Sequence, residues 1–328
     1  MSLPSLIVIA GPTGVGKTRF ALELAQAANA EIISVDSLQV YRGLDIGTAK
    51  ASSEERAAVP HHLIDILSPD EDFNVADFMA QADKAVEDIV ARGKNIIAAG
   101  GTNLYMRAFV HGLFDAPPPD DGIRARHKEL ANYYGVIWLY KELERVDPTL
   151  AARIHHQDLV RISRGLEVFE QTGTPLSRLQ DAHNFQDPRF RAFKLALNRP
   201  RQSLYERINT RVDAMMQGGL MAEYDALIEG GFSPDLKPLM SLGYRHARFL
   251  REGTWSEPEM VSELQKDTRR FAKQQLSWLR SEPQIQWALA PELEDARIRA
   301  RMLEDLCAFF EGEDPNLDWA QDQDPYKS

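Results

Sequence analysis

Residues Gly11-Pro12-Thr13-Gly14-Val15-Gly16-Lys17-Thr18 match the pattern G-x-x-x-x-G-K-S/T, directly after an apolar run at 6–10 and directly before a helical pattern at 17–28. A strand, a glycine loop and a helix in that order constrain the chain strongly. The glycines let successive backbone amides converge on one anion, and the helix N-terminus adds its dipole. Lys17 is placed to reach an outer phosphate, and the Thr18 hydroxyl can take a Mg²⁺ ion. Residues Gly11, Pro12, Thr13, Gly14, Val15, Gly16, Lys17 and Thr18 are therefore the candidate site for a diphosphate or triphosphate. The motif leaves open what the phosphate is attached to.

Further alternation extends this unit. Residues 31–35 read as a second strand ending at Asp36, 63–67 as a third, and 95–99 as another, closed by Gly100-Gly101. Helical spacing covers 73–92 and about 102–110. Strands alternating with helices predict an α/β fold with a parallel sheet covered on both faces, a P-loop NTPase-like core. At Pro117-Pro118-Pro119-Asp120-Asp121 the pattern breaks, and helical periodicity dominates to about Gly173, with helix starts at Asp147-Pro148 and Gln157-Asp158. A strand at 193–197, helices at 203–217 and 220–228, and amphipathic helices at 257–281 and 293–311 follow. The division expected is a catalytic core at 1–116 and 191–328, with C-terminal helices, around a helical insert at 117–190.

At 328 residues the chain exceeds the usual limit of one hydrophobic core, which suits this division. It contains no apolar run of eighteen or more residues, so no membrane span is expected. The start, MSLPSLIVIAGP, lacks a basic segment and reads as a first strand, not a signal peptide. Cys307 is the only cysteine, which excludes a disulfide framework or a cysteine-rich zinc site and makes the cytosol the expected compartment. The net charge of −11 is unevenly spread: residues 281–328 hold 12 Asp/Glu against 4 Lys/Arg. Residues 141–211 carry 13 basic against 9 acidic, and 237–280 carry 9 against 5. These two stretches permit a polyanionic partner, although a solvated surface explains each alone.

Several side chains bear on the site. Asp36, just past the end of a strand, should face the ligand crevice of an open α/β sheet. It can serve as a general base, support a Mg²⁺ ion, or simply hold a turn. Thr102 should meet the same crevice or cap a helix. Arg207 and Arg211 share a helix face, as do Arg161 and Arg164; such pairs are solvated or neutralise a phosphate. His61-His62 and His155-His156 lack the company of a metal site. In the segment 269–280, Phe271, Gln275, Trp278 and Leu279 are expected on an apolar face, with Arg270, Lys273 and Arg280 free for packing against solvent or RNA backbone.

Together these residues resemble the tRNA dimethylallyltransferase family, also called tRNA isopentenyltransferases. The likeness runs through the glycine loop, Asp36-Ser37…Gln39-Val40-Tyr41, Asp45-Ile46-Gly47-Thr48-Ala49-Lys50 and Gly100-Gly101-Thr102…Leu104-Tyr105. It continues in Asp147-Pro148…Arg153-Ile154-His155, Asp158…Arg161-Ile162…Arg164…Leu166-Glu167-Val168, Arg207-Ile208…Arg211-Val212-Asp213, Gly243-Tyr244-Arg245 and Thr268-Arg269…Ala272-Lys273-Gln274-Gln275. His156 stands where the family usually has Pro, and Gly165 where Ala is usual. The cysteine and histidine pattern of the eukaryotic members' zinc finger is not present, which points to the bacterial type.

The resemblance implies transfer of a dimethylallyl group from dimethylallyl diphosphate to N6 of the adenosine 3′ of a tRNA anticodon. Asp36, Thr102 and Lys17 are then the catalytic candidates, and Arg211 joins the glycine loop in holding diphosphate. Mg²⁺ on Thr18 is the implied cofactor. The implied contacts to the tRNA anticodon stem-loop are Asp36, Ser37, Leu38, Gln39, Thr102, Arg124, Val160, Arg161, Ile162, Ser163, Arg164, Gly243, Tyr244, Arg245, Arg270, Lys273 and Gln274. A monomer without a membrane partner is expected. A small-molecule kinase would share the first eighteen residues but gives no use to a basic helical insert. A transferase acting on a free adenine nucleotide would share the catalytic residues.

Overall fold

A computed structural model describes residues 3–183, 189–290, 294–321 and 324. The chain divides into two compact units, residues 1–110 with 189–328, and residues 111–188. The second unit therefore opens at 111 and closes at 188, where the sequence placed the limits at 117 and 190. The proline break lies inside it.

In the first unit the chain runs through β1 (Ser5–Ala10), α1 (Lys17–Ala27), β2 (Ala30–Val35), α2 (Ser53–Ala58), β3 (His61–His62), α3 (Val75–Ala91), β4 (Asn95–Gly100) and α4 (Asn103–His111). The helical unit supplies α5 (Asp121–Tyr134), α6 (Val136–Val146), α7 (Pro148–Ala151), α8 (Leu159–Thr172) and α9 (Leu176–His183). The first unit resumes with β5 (Arg191–Asn198), α10 (Arg201–Gln217), α11 (Leu220–Glu229), α12 (Tyr244–Arg251), α13 (Glu257–Leu279), β6 (Ile285–Leu289) and α14 (Ala296–Phe310). The six strands form one sheet in the order β3-β2-β4-β1-β5-β6, and every pairing is parallel.

Strands buried on both faces read as continuous apolar runs, and β1 does so through Leu6–Ala10, all fully buried. One sheet face packs Ile7, Ile9, Ile97 and Leu195 against Phe20 and Leu24 of α1 and Met302 and Leu306 of α14. Each such side chain, fully buried, contributes about 1.5–3 kcal/mol. Helix starts follow local chemistry: Asn74 with Asp77, and Ser256 with Glu259, form capping boxes at α3 and α13.

The expected strand at 63–67 does not form. Leu63 and Asp65 both adopt positive φ, 63° and 58°, which an extended ladder cannot accommodate. What holds the segment is tertiary: Lys50, nearly buried, pairs with Asp65 and Asp45 at 2.5 Å each, and Arg56 reaches Asp65 at 2.6 Å. The pairing that does form is β3 on β2, only two residues long, with a single parallel bridge from Leu67 to Tyr41 beyond it.

The acidic C-terminal stretch, which carried no motif, supplies β6 at the sheet edge and α14 against the core. Two of its carboxylates pair with the first unit's arginines: Asp324 with Arg280 at 2.6 Å, and Glu294 with Arg199 at 2.9 Å.

The helical unit packs Leu139, Leu143, Ile162 and Leu166 from α6 and α8 into its own core. Glu167 is fully buried there, accepting hydrogen bonds from Arg124 (2.9 and 3.2 Å), Arg164 (2.7 Å) and the Asp120 amide (2.7 Å). Burial alone would raise its carboxyl, but Arg164, that amide and Arg124 hold it below the ordinary value. His127, also buried, bridges Ser163 and Glu170 between α5 and α8.

Candidate active site

The glycine loop turns through positive φ at Gly11 (146°), Gly14 (81°) and Gly16 (113°), angles that side chains rarely adopt. Helix α1 has Gly16 at its N-cap, no capping side chain and no acidic residue in its first turn, so its leading amides are left for an anion. Lys17 folds back over the loop, donating to the carbonyls of Gly11 (2.9 Å) and Pro12 (3.0 Å). Desolvation in the chamber wall and the neighbouring Arg211 push its pKa down to about 7, against the opposing pull of Asp36. Arg211 is itself depressed by burial, again opposed by Asp36. The two arginines one turn apart do different work. Arg207 donates to the Gly14 carbonyl at 2.9 Å and braces the loop, whereas Arg211 lines the cavity beside it.

That cavity is about 420 Å³ in volume, and it gathers Thr13, Lys17, Thr18, Asp36, Thr102 and Arg211 into one chamber. Register explains the meeting: β2 and β4 pair Val35 with Gly100, so the chain beyond each emerges at the same point. Thr102 donates its amide to Val35 O (3.2 Å), and its hydroxyl accepts from the Ser37 amide (3.1 Å). Asp36 Oδ1 accepts from the Leu38 and Gln39 amides, at 2.9 and 3.3 Å. It is thus both a turn residue and a chamber residue, its direction fixed by those amides. Ser37, Leu38 and Gln39 also line the chamber, with the Gln39 carboxamide held between Ser34 and the Thr48 carbonyl.

Gln275 ties the halves of the site together. Its Oε1 accepts from the Thr13 amide (2.9 Å), and its Nε2 donates to the Gly101 carbonyl (3.0 Å). A Cβ at Gly101 would lie 2.4 Å from that Nε2, so any side chain there would push the Gln275 carboxamide off its bond to the Gly101 carbonyl. The sequence placed Gln275 on an apolar face; it is buried as expected, but as the link between two loops.

Glu223 of α11 fixes the opposite wall. Its carboxylate accepts from the amides of Asp45 (3.0 Å), Ile46 (2.7 Å) and Gly47 (3.0 Å), and from the Tyr244 hydroxyl (2.6 Å). Burial and Glu223 raise the Tyr244 phenol well above its usual value. The Tyr244 ring lies so close that a Cβ at Gly47 would sit 2.5 Å from it. Nothing in the sequence singled out Glu223, an ordinary glutamate in a helical pattern.

Several expected contact residues are corrected here. Tyr244 is fully buried and bound to Glu223, so it offers no surface, while Gly243 lines the chamber. Arg270 and Arg280 are not free: Arg270 shares Asp267 with Arg245 (3.0 and 2.6 Å), and Arg280 holds Asp324. Lys273 and Gln274 are exposed. Phe271 is 40% exposed and lines the chamber, where an apolar core face was expected. In the helical unit Ile162 and Ser163 point inward and Arg124 and Arg164 are committed to Glu167, whereas Val160 and Arg161 stand exposed.

Among the described residues, no three His, Cys, Asp or Glu side chains are grouped to hold a metal ion. Thr18 offers a hydroxyl oxygen at the chamber, a hard donor suited to Mg²⁺, which takes few protein ligands and completes its shell with water and phosphate oxygens. No helix among the described residues is long and apolar enough to cross a membrane.

Such a chamber, a phosphate loop facing a carboxylate at the ends of parallel strands, is built for group transfer from a phosphorylated donor. Residues 39–282 match the family model described as IPP transferase, and the chain belongs to that family. It is 47% identical to a tRNA dimethylallyltransferase of Syntrophobacter fumaroxidans, over 90% of each chain. It is 44% identical to tRNA dimethylallyltransferase 1 of Pelobacter propionicus, over 94% of this chain and 99% of that one. Among solved structures it resembles the tRNA isopentenylpyrophosphate transferase of Bacillus halodurans (36% identity, TM-score 0.64, 94% and 99% of the two chains). It also resembles a eukaryotic dimethylallyltransferase captured acting on tRNA (26% identity, TM-score 0.82, 96% and 82%). The chain is thus a prenyltransferase with an α/β, P-loop-like core.

Proposed function

We propose that the protein transfers a dimethylallyl group from dimethylallyl diphosphate to N6 of the adenosine 3′ of the anticodon in tRNA, releasing diphosphate. The observation that carries this reading is the meeting of Lys17, Thr18 and Arg211 with Asp36 in one chamber. A small-molecule kinase would use these groups too; the fixed carboxylate can take the proton that a weak nitrogen nucleophile must lose, and the family match favours that acceptor.

In the step proposed, the N6 lone pair forms a bond to C1 of the allyl group as the C1–O bond breaks. The bonding electrons leave with the diphosphate, and the N6 proton passes to Asp36. Lys17, Arg211 and the glycine-loop amides take the charge that grows on the leaving group. Mg²⁺, held through Thr18 and diphosphate oxygens, would supply further neutralisation there. A pKa near 7 leaves Lys17 ready to gain its full charge when an anion arrives. Thr102 keeps the Asp36 loop against the strand ends.

The partner would be the anticodon stem-loop, with the acceptor base drawn out of its stack to enter the chamber. Exposed Val160, Arg161, Lys273 and Gln274 are the surface positions available for such contacts. A monomer acting in the cytosol fits this role. Labelled dimethylallyl diphosphate offered with AMP, with short adenine oligonucleotides and with unmodified tRNA tests the reading. Label should enter tRNA only, and binding should weaken steeply with salt. Equal labelling of AMP and tRNA would refute it.

A further inference from the structure

Helix α13 presents Leu264, Thr268, Phe271 and Gln275 to the chamber, a single stripe at helical spacing. Leu264 and Gln275 on this stripe are 2% and 5% exposed, and the Thr268 hydroxyl is satisfied by the Leu264 carbonyl. Phe271 stands apart. It is 40% exposed, so its ring is at an opening of the chamber instead of inside a packed core. An aromatic side chain left 40% exposed loses apolar burial that its neighbours gain.

Two further residues line the same chamber without a partner. The Ser241 hydroxyl oxygen is buried, and no hydrogen-bond partner for it exists among the described residues. Buried polar atoms are nearly always paired, and one left over on a cavity wall points to a ligand atom. Lys237, four residues earlier in the same turn-rich segment, is exposed and makes no ion pair among the described residues. The three groups are an uncovered aromatic ring, a spare hydroxyl and a spare cation.

A five-carbon allyl tail has no use for a hydroxyl or an ammonium, and the diphosphate is served by Lys17 and Arg211. A nucleotide uses all three: its base stacks on an aromatic face, its base edge takes a hydrogen bond, and its phosphate meets a cation. We infer that Phe271, Ser241 and Lys237 form the subsite for the unstacked acceptor nucleotide of the RNA, with Phe271 stacking its base, Ser241 bonding its edge and Lys237 meeting an adjacent phosphate. The inference rests on RNA being the acceptor, and it assigns to these residues a role in acceptor binding and none in donor binding.

The test pairs steady-state kinetics with direct binding of an unmodified anticodon stem-loop. Phe271→Ala should raise KM for tRNA, and the dissociation constant of the stem-loop, by about 5- to 100-fold, the range of one lost base stack. KM for dimethylallyl diphosphate should stay within about two-fold. Phe271→Trp should retain near-normal acceptor KM, which separates stacking from a folding defect. Ser241→Ala should raise the acceptor KM about 5-fold or more. Lys237→Gln should lower the slope of log affinity against log salt by about 0.7, one phosphate contact on a single strand. The inference is overturned if Phe271→Ala or Ser241→Ala moves the donor KM instead, if neither moves the acceptor KM, or if Phe271→Trp is as weak as Phe271→Ala. Should the wild type bind the stem-loop in a Phe271-dependent way yet prenylate only AMP, the subsite stands and the tRNA reading fails.

Discussion

Replacing Glu223 by Gln changes one atom and strikes the wall of the chamber. Oε2 accepts from the Asp45 and Ile46 amides, and Oε1 from the Gly47 amide and the Tyr244 hydroxyl. A carboxamide has one oxygen, so its NH2 group faces either the two amides of Asp45 and Ile46, or the Gly47 amide and the Tyr244 hydroxyl, which can turn to accept; at most two hydrogen bonds are lost. Hydrogen bonds to a charged group are worth about 1.5–3 kcal/mol each, which sets an upper bound of about 3–6 kcal/mol. The bond to Asp45 is open to solvent, so water recovers part of this, and about 2–4 kcal/mol is the expected loss. For a unit of this size that corresponds to a fall in melting temperature of roughly 4–15 °C, read by thermal denaturation of the intact chain. Because Gly47, Thr48 and Ala49 line the chamber, substrate KM should rise in parallel. Tyr244→Phe, which removes one of the four bonds to the carboxylate, should cost about 1.5–3 kcal/mol. A shift below about 1 °C for Glu223→Gln, with unchanged KM, would show that the loop holds its shape without the carboxylate.

Asp36→Asn keeps the oxygen that accepts from the Leu38 and Gln39 amides, so the loop should remain in place while turnover falls about 10²- to 10⁴-fold. Single-turnover rates within a few-fold of wild type would move the proton to another group. Arg211→Ala should raise KM for dimethylallyl diphosphate or slow its ionisation by about 10- to 100-fold, with tRNA affinity unchanged; a change in tRNA affinity alone would remove Arg211 from the diphosphate site. His246 is fully buried, with its Nε2 3.4 Å from Asp267, and burial together with Arg245 pushes its pKa down to about 4. Its folded value lies below the unfolded one, so its contribution is complete above pH about 6.5 and is lost as pH falls towards 4, at up to about 1.4 kcal/mol per pH unit. Denaturant titrations between pH 4.5 and 6.5 should show that slope in the wild type and a flatter one in His246→Phe; equal slopes would assign the loss to other groups.

What was legible in the sequence is what is local. The glycine loop, its strand and its helix are contiguous, and their spacing alone fixes the phosphate grip. Asp147 and Asp158 announce their helices because a cap acts within three residues, and both accept from the amides that such caps serve. The parts that stayed hidden depend on partners far along the chain. Residues 63–67 have strand composition, yet Lys50 and Arg56 bend them through positive φ at Leu63 and Asp65. β6 is five residues in an acidic stretch, and only its pairing with β5 makes it a strand. Helix α12 went unrecognised because Gly243-Tyr244-Arg245 read as a contact motif, when Tyr244 instead turns inward to Glu223. Gln275 and Phe271 lie four residues apart on one helix stripe, one buried and one open; periodicity places both on a face but says nothing of what that face meets.

The central strand of the sheet waits for its neighbour. β1 pairs on one side with β4, made before the helical unit, and on the other with β5, so that Ser5 meets Arg191 across 186 residues of chain (191 − 5). At synthesis rates of about 5–20 residues per second, roughly 10–40 s pass before that side of β1 can be covered. Throughout that interval a nascent chain carries an apolar strand edge without its β5 partner, and the helical unit, which packs a core of its own, is completed only towards the end of it. The architecture therefore gives this protein a definable vulnerable period during translation. Ribosome-bound chains halted with residue 183 just clear of the exit tunnel should be cut by protease in their first hundred residues and spared within residues 121–172, whereas chains with β6 also clear of the tunnel should resist throughout.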